Sequence, residues 1–271
     1  MSEKNLSGKT VLITGASAGI GQALARVYAK QGSHLILVAR RLERLNALAA
    51  ELTSQYPIDV HVVSSDLSDP EAPQNLVDTI GQRGWVVDIL INNAGYGVPG
   101  KFLSVDWQDH RDFEQVMTIA VMQLCHLLMP AMVERGWGRV INIASLAGHL
   151  PGTEGHTCYA AVKSWMVKFS QSLYFEYAKQ GVITTAICPG FTYSEFHDVT
   201  GTRDQVSKMN QRLWMTAEKV AQQTLRASQD GEIVYINGRL NRMIARAVRW
   251  LPSGWVYRLL QGQSKKFRKL D

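Results

Sequence analysis

Seven short apolar runs, each four to seven residues long and separated by stretches of helical periodicity, constrain this chain more than any other feature. They are Thr10–Thr14, His34–Ala39, Asp59–Ser64, Ile89–Asn92, Arg139–Ala144, Val182–Cys188 and Glu232–Ile236. A strand covered on both faces reads as a nearly continuous apolar run, and runs that alternate with helices predict a parallel sheet between two helical layers. The helical stretches have the required faces. Ile20, Leu24, Val27, Tyr28 and Gln31 trace one stripe that Gly32 can end, and Leu42, Leu45, Leu48, Ala49 and Leu52 trace another. Two longer helices are predicted over about 109–135 and 159–180. With 46% apolar residues in 271, the chain has ample material for one core. The reading is an α/β protein whose doubly wound parallel seven-stranded sheet fills one domain, residues 1–237, followed by a basic amphipathic extension, residues 238–271.

Several function classes find no support. The first residues lack the apolar run and small-residue cleavage site of a secretory signal, and no run of consecutive apolar residues reaches the roughly 18 of a membrane span. A cytoplasmic location is the expectation. Cys125, Cys158 and Cys188 are odd in number and show no C-x-x-C pair, and the seven histidines form no H-E-x-x-H pattern, so no metal site is expected.

The first strand runs directly into Thr14-Gly15-Ala16-Ser17-Ala18-Gly19-Ile20-Gly21, which opens a helix. A pyrophosphate needs close backbone approach and a helix N-terminus whose free N–H groups and dipole face the anion. Gly15, Gly19 and Gly21 permit both, with Ser17 and Ile20 beside them, in a Rossmann-type arrangement. At the end of the second strand, where an acidic residue would meet a ribose 2′-hydroxyl, stand Arg40 and Arg41. Guanidinium groups suit a 2′-phosphate by charge and bidentate geometry, so NADP (NADPH) is the expected cofactor, with Arg40 its better-placed partner. Asp66, just past the third strand, is placed to accept from the adenine amine.

Together with Asn92-Asn93-Ala94-Gly95 after the fourth strand, these features resemble the short-chain dehydrogenase/reductase (SDR) family over about residues 7–237. The resemblance implies that Asn93, Ala94 and Gly95 line the cofactor and steady the sheet. The most specific signal is Tyr159-Ala160-Ala161-Val162-Lys163, with Ser145 at the end of the fifth strand. Residues four apart share a helix face, so the Lys163 ammonium lies near the Tyr159 phenol. An unperturbed tyrosine titrates near 10, and adjacent positive charge favours its anion. Tyr159 is then general acid in reduction and general base in oxidation, Ser145 holds the substrate oxygen, and Lys163 binds the nicotinamide ribose. The resemblance carries Pro189, Gly190, Thr192 and Ser194 over as contacts to the nicotinamide carboxamide.

Two positions depart from the family's pattern. An asparagine that anchors a proton-relay water is usual thirteen residues before the proline that matches Pro130, and this chain has Met117 there. Ser145 and Tyr159 are fourteen apart where thirteen is usual, the extra residue falling in Gly152-Thr153-Glu154-Gly155. The loops expected beside the nicotinamide bring Tyr96, His149, Leu150, Tyr193, Phe196, His197 and Trp214, which favour an apolar or aromatic carbonyl or alcohol over a sugar. The leading function is therefore a carbonyl reductase or alcohol dehydrogenase. A weakly catalytic NADP-binding sensor or interaction protein, and an SDR-like isomerase or dehydratase, remain the alternatives. The resemblance also implies a homodimer or homotetramer built through the two long helices.

The net charge of +6 belongs to the end of the chain, where nine basic residues fall between Arg239 and Lys269 with no acidic residue among them. Leu240, Met243, Ile244, Ala247, Val248 and Leu251 form one helical stripe and Arg239, Arg242, Arg246 and Arg249 project elsewhere. Two readings are open: the segment lies on an anionic membrane, or its stripe caps the substrate pocket or packs on another subunit. No recognition motif accompanies the charge, so nucleic acid is not an expected partner.

Overall fold

The computed structural model describes residues 5–155, 157–193 and 211–258. Its core strands are β1 (Thr10–Thr14), β2 (His34–Ala39), β3 (Val60–Ser64), β4 (Ile89–Asn92), β5 (Gly138–Ile143), β6 (Val182–Cys188) and β9 (Val234–Ile236). They form one parallel seven-stranded sheet in the order β3-β2-β1-β4-β5-β6-β9. A further pair, β7 (Thr192–Tyr193) with β8 (Met215–Thr216), stands apart from the sheet. Helices α1 (Gly19–Ala29), α2 (Leu42–Gln55), α3 (Ala72–Gln82), α4 (Trp107–Glu114), α5 (Ala120–Glu134), α6 (Thr157–Tyr177) and α7 (Ala217–Gln229) surround it, and α8 (Arg239–Trp250) follows the last strand. All seven predicted strands are present, displaced by at most two residues at their ends.

Strand periodicity divides the core in two. Val11, Ile13, Leu35 and Leu37 face α1 and α2 and bury Leu24, Tyr28, Leu45 and Leu48. The alternate residues Leu12, Ile36 and Val38 face the other way, onto Leu76 of α3 and Leu124, Leu128 and Met132 of α5. Burying a large aliphatic side chain is worth about 1.5–3 kcal/mol, so these two layers supply the fold's main driving force. The sequence order reverses between β1 and β4, and such a reversal opens a crevice at the carboxyl ends of the two strands.

The helix predicted over 109–135 is one run from Trp107 to Glu134, interrupted by a π-helical turn at Gln115–Ile119. By length and composition it could cross a membrane, with a mean hydropathy of 1.8 over its most apolar window of 18 residues, which a count of consecutive apolar residues misses. Half of that window is buried, and its inner face is the one that packs on α3 and the sheet.

Glycine is compelled where β6 begins. Gly181 has φ of +86°, and a Cβ there would collide with the carbonyl oxygen of Gly136. Gly231 has φ of +72°, and a Cβ added to it would meet nothing within 4 Å. Gly231→Ala is expected to cost about 1 kcal/mol, the left-handed backbone penalty alone, and Gly181→Ala at least about twice that, compared by urea midpoints at constant m-value.

Candidate active site

The crevice is built around Thr14, the last residue of β1. Its hydroxyl donates to the Ile91 carbonyl (3.3 Å) and accepts from the backbone N–H of Asn93 and of Ala94 (both 3.0 Å). The Asn93 side-chain amide returns the link by donating to the carbonyl oxygens of Thr14 (2.9 Å) and Gly15 (3.2 Å). The two loops are thereby fastened together. Packing, rather than ligand approach alone, demands the glycines: a Cβ on Gly15 would lie 2.8 Å from the Ala94 Cα, and one on Gly21 would strike the Gly15 carbonyl. Gly15 and Gly19 also have positive φ, at +67° and +55°. Ile20 is partly buried against the core.

Around this turn the charges are positive. Helix α1 begins after Ala18 without a capping side chain and without an acid in its first turn, which leaves its N-terminal N–H groups and dipole uncompensated. Arg41 reaches back from the end of β2 to the buried Ser17, whose hydroxyl oxygen accepts from its Nε (3.2 Å) and Nη2 (3.1 Å). Arg40 lies 3.7 Å from the Asp66 carboxylate across an exposed pair. Asp66 also accepts from the Ser68 N–H (3.1 Å) and hydroxyl (2.8 Å). The sequence favours Arg40 as the better-placed partner, whereas Arg41 is the residue that touches the glycine turn. This donor set of open helix N–H groups, Ser17 and two guanidiniums fits a dinucleotide carrying an additional phosphate.

Ser145, Tyr159 and Lys163 converge as expected. Ser145 follows β5 and its hydroxyl oxygen accepts from the Ala147 N–H (3.1 Å), which orients it, while the same hydroxyl shares a hydrogen bond with the Tyr159 phenol. The extra loop residue does not prevent that bond, and the loop is itself tied down where the Gly155 carbonyl accepts from the Gly100 N–H (3.1 Å). Lys163 is buried, lies 5.8 Å from the centre of the Tyr159 ring and donates to the Ile143 carbonyl (2.7 Å).

The electrostatics differ from the sequence expectation. Burial pushes the Tyr159 phenol up to about 12 against the opposing effect of the Ser145 hydrogen bond, and burial pushes Lys163 down to about 8 against the attraction of Cys188. Both groups share one low-dielectric setting that disfavours each charged form, and this outweighs the help a lysine gives a phenolate in water. Without cofactor, Tyr159 is a proton donor over the whole neutral range.

Pro189 and Gly190 leave β6 beside Ser145: the Leu146 N–H donates to the Pro189 carbonyl (2.8 Å), and the Thr192 hydroxyl donates to that of Gly190 (3.1 Å). Ser194, Phe196 and His197 fall outside the described residues. Tyr193 stacks on Trp214 (4.6 Å between centroids), and Tyr96 meets Phe113 edge-on (5.7 Å) in an apolar cluster that also holds Met117, Val162 and Tyr159. His149 turns away from this wall, with its Nε2 3.3 Å from the Cys188 sulfur, and lines a cavity of about 610 Å³ that includes Lys168, Val248 and Arg249 but none of Ser145, Tyr159 and Lys163. Gly95 meets Met117, which is fully buried in the π-helical turn. The backbone irregularity is present there without an asparagine side chain. A contact that no motif signals is Asn241 of α8, buried against Gly190 so closely that a Cβ on Gly190 would strike it.

A model of the short chain dehydrogenase family matches residues 9–205. Nodulation protein G of Rhizobium sp. (strain N33) is 34% identical over 248 residues, covering 87% of this chain and 98% of that protein. Among solved structures, a short-chain dehydrogenase from Sphingobium yanoikuyae in complex with NADPH is 30% identical with a TM-score of 0.79, covering 97% of both chains. L-Sorbose reductase from Gluconobacter frateurii, complexed with NADPH and L-sorbose, is 25% identical with a TM-score of 0.77 over 87% of this chain and 97% of its own.

The lysine shift has a measurable sign. Lys163 titrates near 8 folded and near its ordinary 10.5 unfolded, so between those values the unfolded chain holds the extra proton and this group's contribution to stability rises with pH. The stability of the cofactor-free protein minus that of Lys163→Met should therefore climb from about pH 8 to 10.5, read by urea denaturation at each pH. A flat difference would remove the shift.

Proposed function

The chain belongs to the short chain dehydrogenase family, and we propose that it is an NADP-dependent carbonyl reductase or alcohol dehydrogenase acting on an apolar ketone, aldehyde or alcohol. The observation that carries the reading is the hydrogen-bonded pair of Tyr159 and Ser145 beside the buried Lys163, at the mouth of a crevice whose other wall is the positively charged glycine turn. The nicotinamide supplies or accepts the hydride when bound. Gly15, Ser17, Gly19, Ile20 and Gly21 hold the pyrophosphate side, Arg40 and Arg41 the 2′-phosphate, and Asp66 the adenine. Asn93, Ala94 and Gly95 line the crevice, and Pro189, Gly190, Thr192 and Ser194 hold the carboxamide end.

In reduction, the substrate carbonyl oxygen accepts from the Ser145 and Tyr159 hydroxyls, and the Tyr159 proton passes to that oxygen as negative charge develops on it. In oxidation the phenolate takes the alcohol proton. A phenol held near 12 suits the donor role at neutral pH, and Lys163, charged below about 8, is a cation for the ribose there. In the oxidising direction Tyr159 would act as the base beside a positively charged nicotinamide, a neighbour that favours the phenolate against the upward push of burial.

Substrate class rests on the apolar cluster joining Tyr96, Phe113 and Met117 to Tyr159, and on the Tyr193–Trp214 stack. A sugar such as that bound by the sorbose reductase needs several polar partners, whereas these side chains offer mainly apolar surface with the tyrosine hydroxyls and the Trp214 N–H as its few polar tips. Met117 in place of a hydrogen-bonding side chain supports a second reading, a weakly catalytic NADP-binding sensor or interaction protein. We read residues 1–237 as the catalytic domain with 238–271 as its extension, and the protein as a homodimer or homotetramer. Support for assembly comes from exposed Ile119, Met122 and Phe175 on the two long helical runs.

Loss of NADPH absorbance across a panel of aromatic ketones, steroids, aldehydes and ketoses, with NADH as control, tests the reading. Turnover on apolar members and none on ketoses is expected, and no turnover on any member favours the second reading. Tyr159→Phe should lower kcat about 10²–10⁴-fold with NADPH affinity retained, because the proton is deleted and the ring kept. In a separate measurement, Arg41→Asp and Arg40→Asp should each shift the NADPH-to-NADH affinity ratio toward NADH, with the larger change at Arg41. Equal affinities for both cofactors in the wild type would defeat the NADP assignment.

A further inference from the structure

Helix α8 is fixed to the body by a narrow face. It leaves β9 through Gly238, with φ of +85°, and only Asn241 and Ala245 of its residues are buried, the first against Gly190. Past Pro252 the chain turns again, and Val256 in that turn is only 4% exposed. The scaffold is therefore held in place, and what it turns outward is apolar. Met243 is 64% exposed, Trp250 85% and Trp255 68%, and Leu240, Leu251 and Tyr257 are exposed with them.

At about 100° per residue, Leu240, Met243, Trp250 and Leu251 fall within an arc of roughly 100° on the side away from Asn241 and Ala245. Arg239, Arg242, Arg246 and Arg249 fill the adjoining arc. The segment from Arg239 to Arg258 contains no acidic residue, so no carboxylate within it neutralises that edge. A protein partner would bury such rings in a fitted pocket. Large rings at one end of an apolar face, with a row of guanidiniums along one side, instead match the layered order of a lipid surface, where aromatic rings sit at headgroup level and arginines reach phosphates.

We infer that the outward face of α8, with the turn that follows it, lies flat on an anionic lipid bilayer, its apolar side chains in the headgroup boundary and the exposed Arg239 and Arg246 on lipid phosphates. This does not depend on the proposed reaction. It divides the sequence stripe: Val248 turns toward the body, where it lines the cavity with His149 and Ala245, while Leu240, Met243 and Leu251 remain outside.

The full-length protein is to be floated with vesicles of phosphatidylcholine alone and with about a third phosphatidylglycerol, at physiological and at about 1 M salt, where the screening length falls from about 8 Å to 3 Å. Binding to the anionic vesicles is expected, weaker by at least about tenfold for neutral vesicles, at high salt, and for the double variant Arg239→Gln, Arg246→Gln. Met243→Glu with Trp250→Glu should abolish binding while thermal midpoint, oligomer size and NADPH turnover on a water-soluble ketone stay unchanged. Absent binding, or binding indifferent to lipid charge and salt, overturns the inference using the wild-type protein alone. A change of oligomer size in the Met243, Trp250 variant overturns it too, since the face is then a contact between copies.

Discussion

The side-chain amide of Asn93 is the joint on which the rest of the site hangs. It spans the point where the sheet order reverses, donating to two carbonyls of the β1 turn while the Thr14 hydroxyl accepts from the loop that carries it. A hydrogen bond of this kind contributes about 1 kcal/mol net, but leaving its buried partners unpaired costs more. Because Gly15 and Gly21 are packed so closely against this joint, the turn's shape is set before any ligand arrives. Beneath it a buried polar chain continues inward: the Asn92 amide donates to the Asn142 side-chain oxygen (2.9 Å), the Asn142 amide to the Ser170 hydroxyl (2.9 Å), and Ser170 to the Met166 carbonyl (2.7 Å). That chain ties β4, β5 and α6 into one unit, so the strand ends bearing the crevice and the helix bearing Tyr159 and Lys163 cannot move independently without exposing unpaired polar atoms.

The chemistry follows from the same compactness. Tyr159, Lys163 and Cys188 lie in one water-poor region, and each is displaced toward its neutral form, chiefly by burial. A tyrosine and a lysine four apart suggest a phenolate made easy by a cation, yet in the protein alone desolvation dominates. The arrangement keeps the proton on the phenol and leaves Lys163 charged below about 8, so bound charge has to be introduced before the phenol becomes basic. The site therefore favours donation by default.

Much of this was legible in the sequence because it depends on local patterns. Period-two and continuous apolar runs specify strands, and the alternation with helices leaves few topologies, so all seven strands and the crevice could be placed. Ser145, Tyr159 and Lys163 could be found because two lie on one helix face and the third ends a strand. What could not be read depends on where long side chains go in space. Arg40 and Arg41 are adjacent in sequence, and only the path of the chain past β2 decides that Arg41 meets Ser17 while Arg40 meets Asp66. The π-helical turn around Met117 leaves no apolar or polar signature, since it changes backbone hydrogen bonding and not composition. Ser194, Phe196 and His197 lie outside the described residues, so the sequence remains the guide to them.

The extension shows why composition alone misjudges an appendage. Its charge and helical stripe suggest a segment separable from the body, and the sheet does end at Ile236. Packing continues past that point. Arg242 donates to the Ile236 carbonyl (2.9 Å) and lies over the Tyr235 ring, Asn241 donates to the Asn237 carbonyl (2.8 Å), and the same Asn241 fills the space that a Cβ on Gly190 would need. The glycine of the Pro189-Gly190 pair is thus required by packing on the side of α8. A helix that reads as peripheral by charge is, through one buried asparagine, the backing of the loop that completes the crevice, and its position is set by the same close packing that shapes the turn at β1.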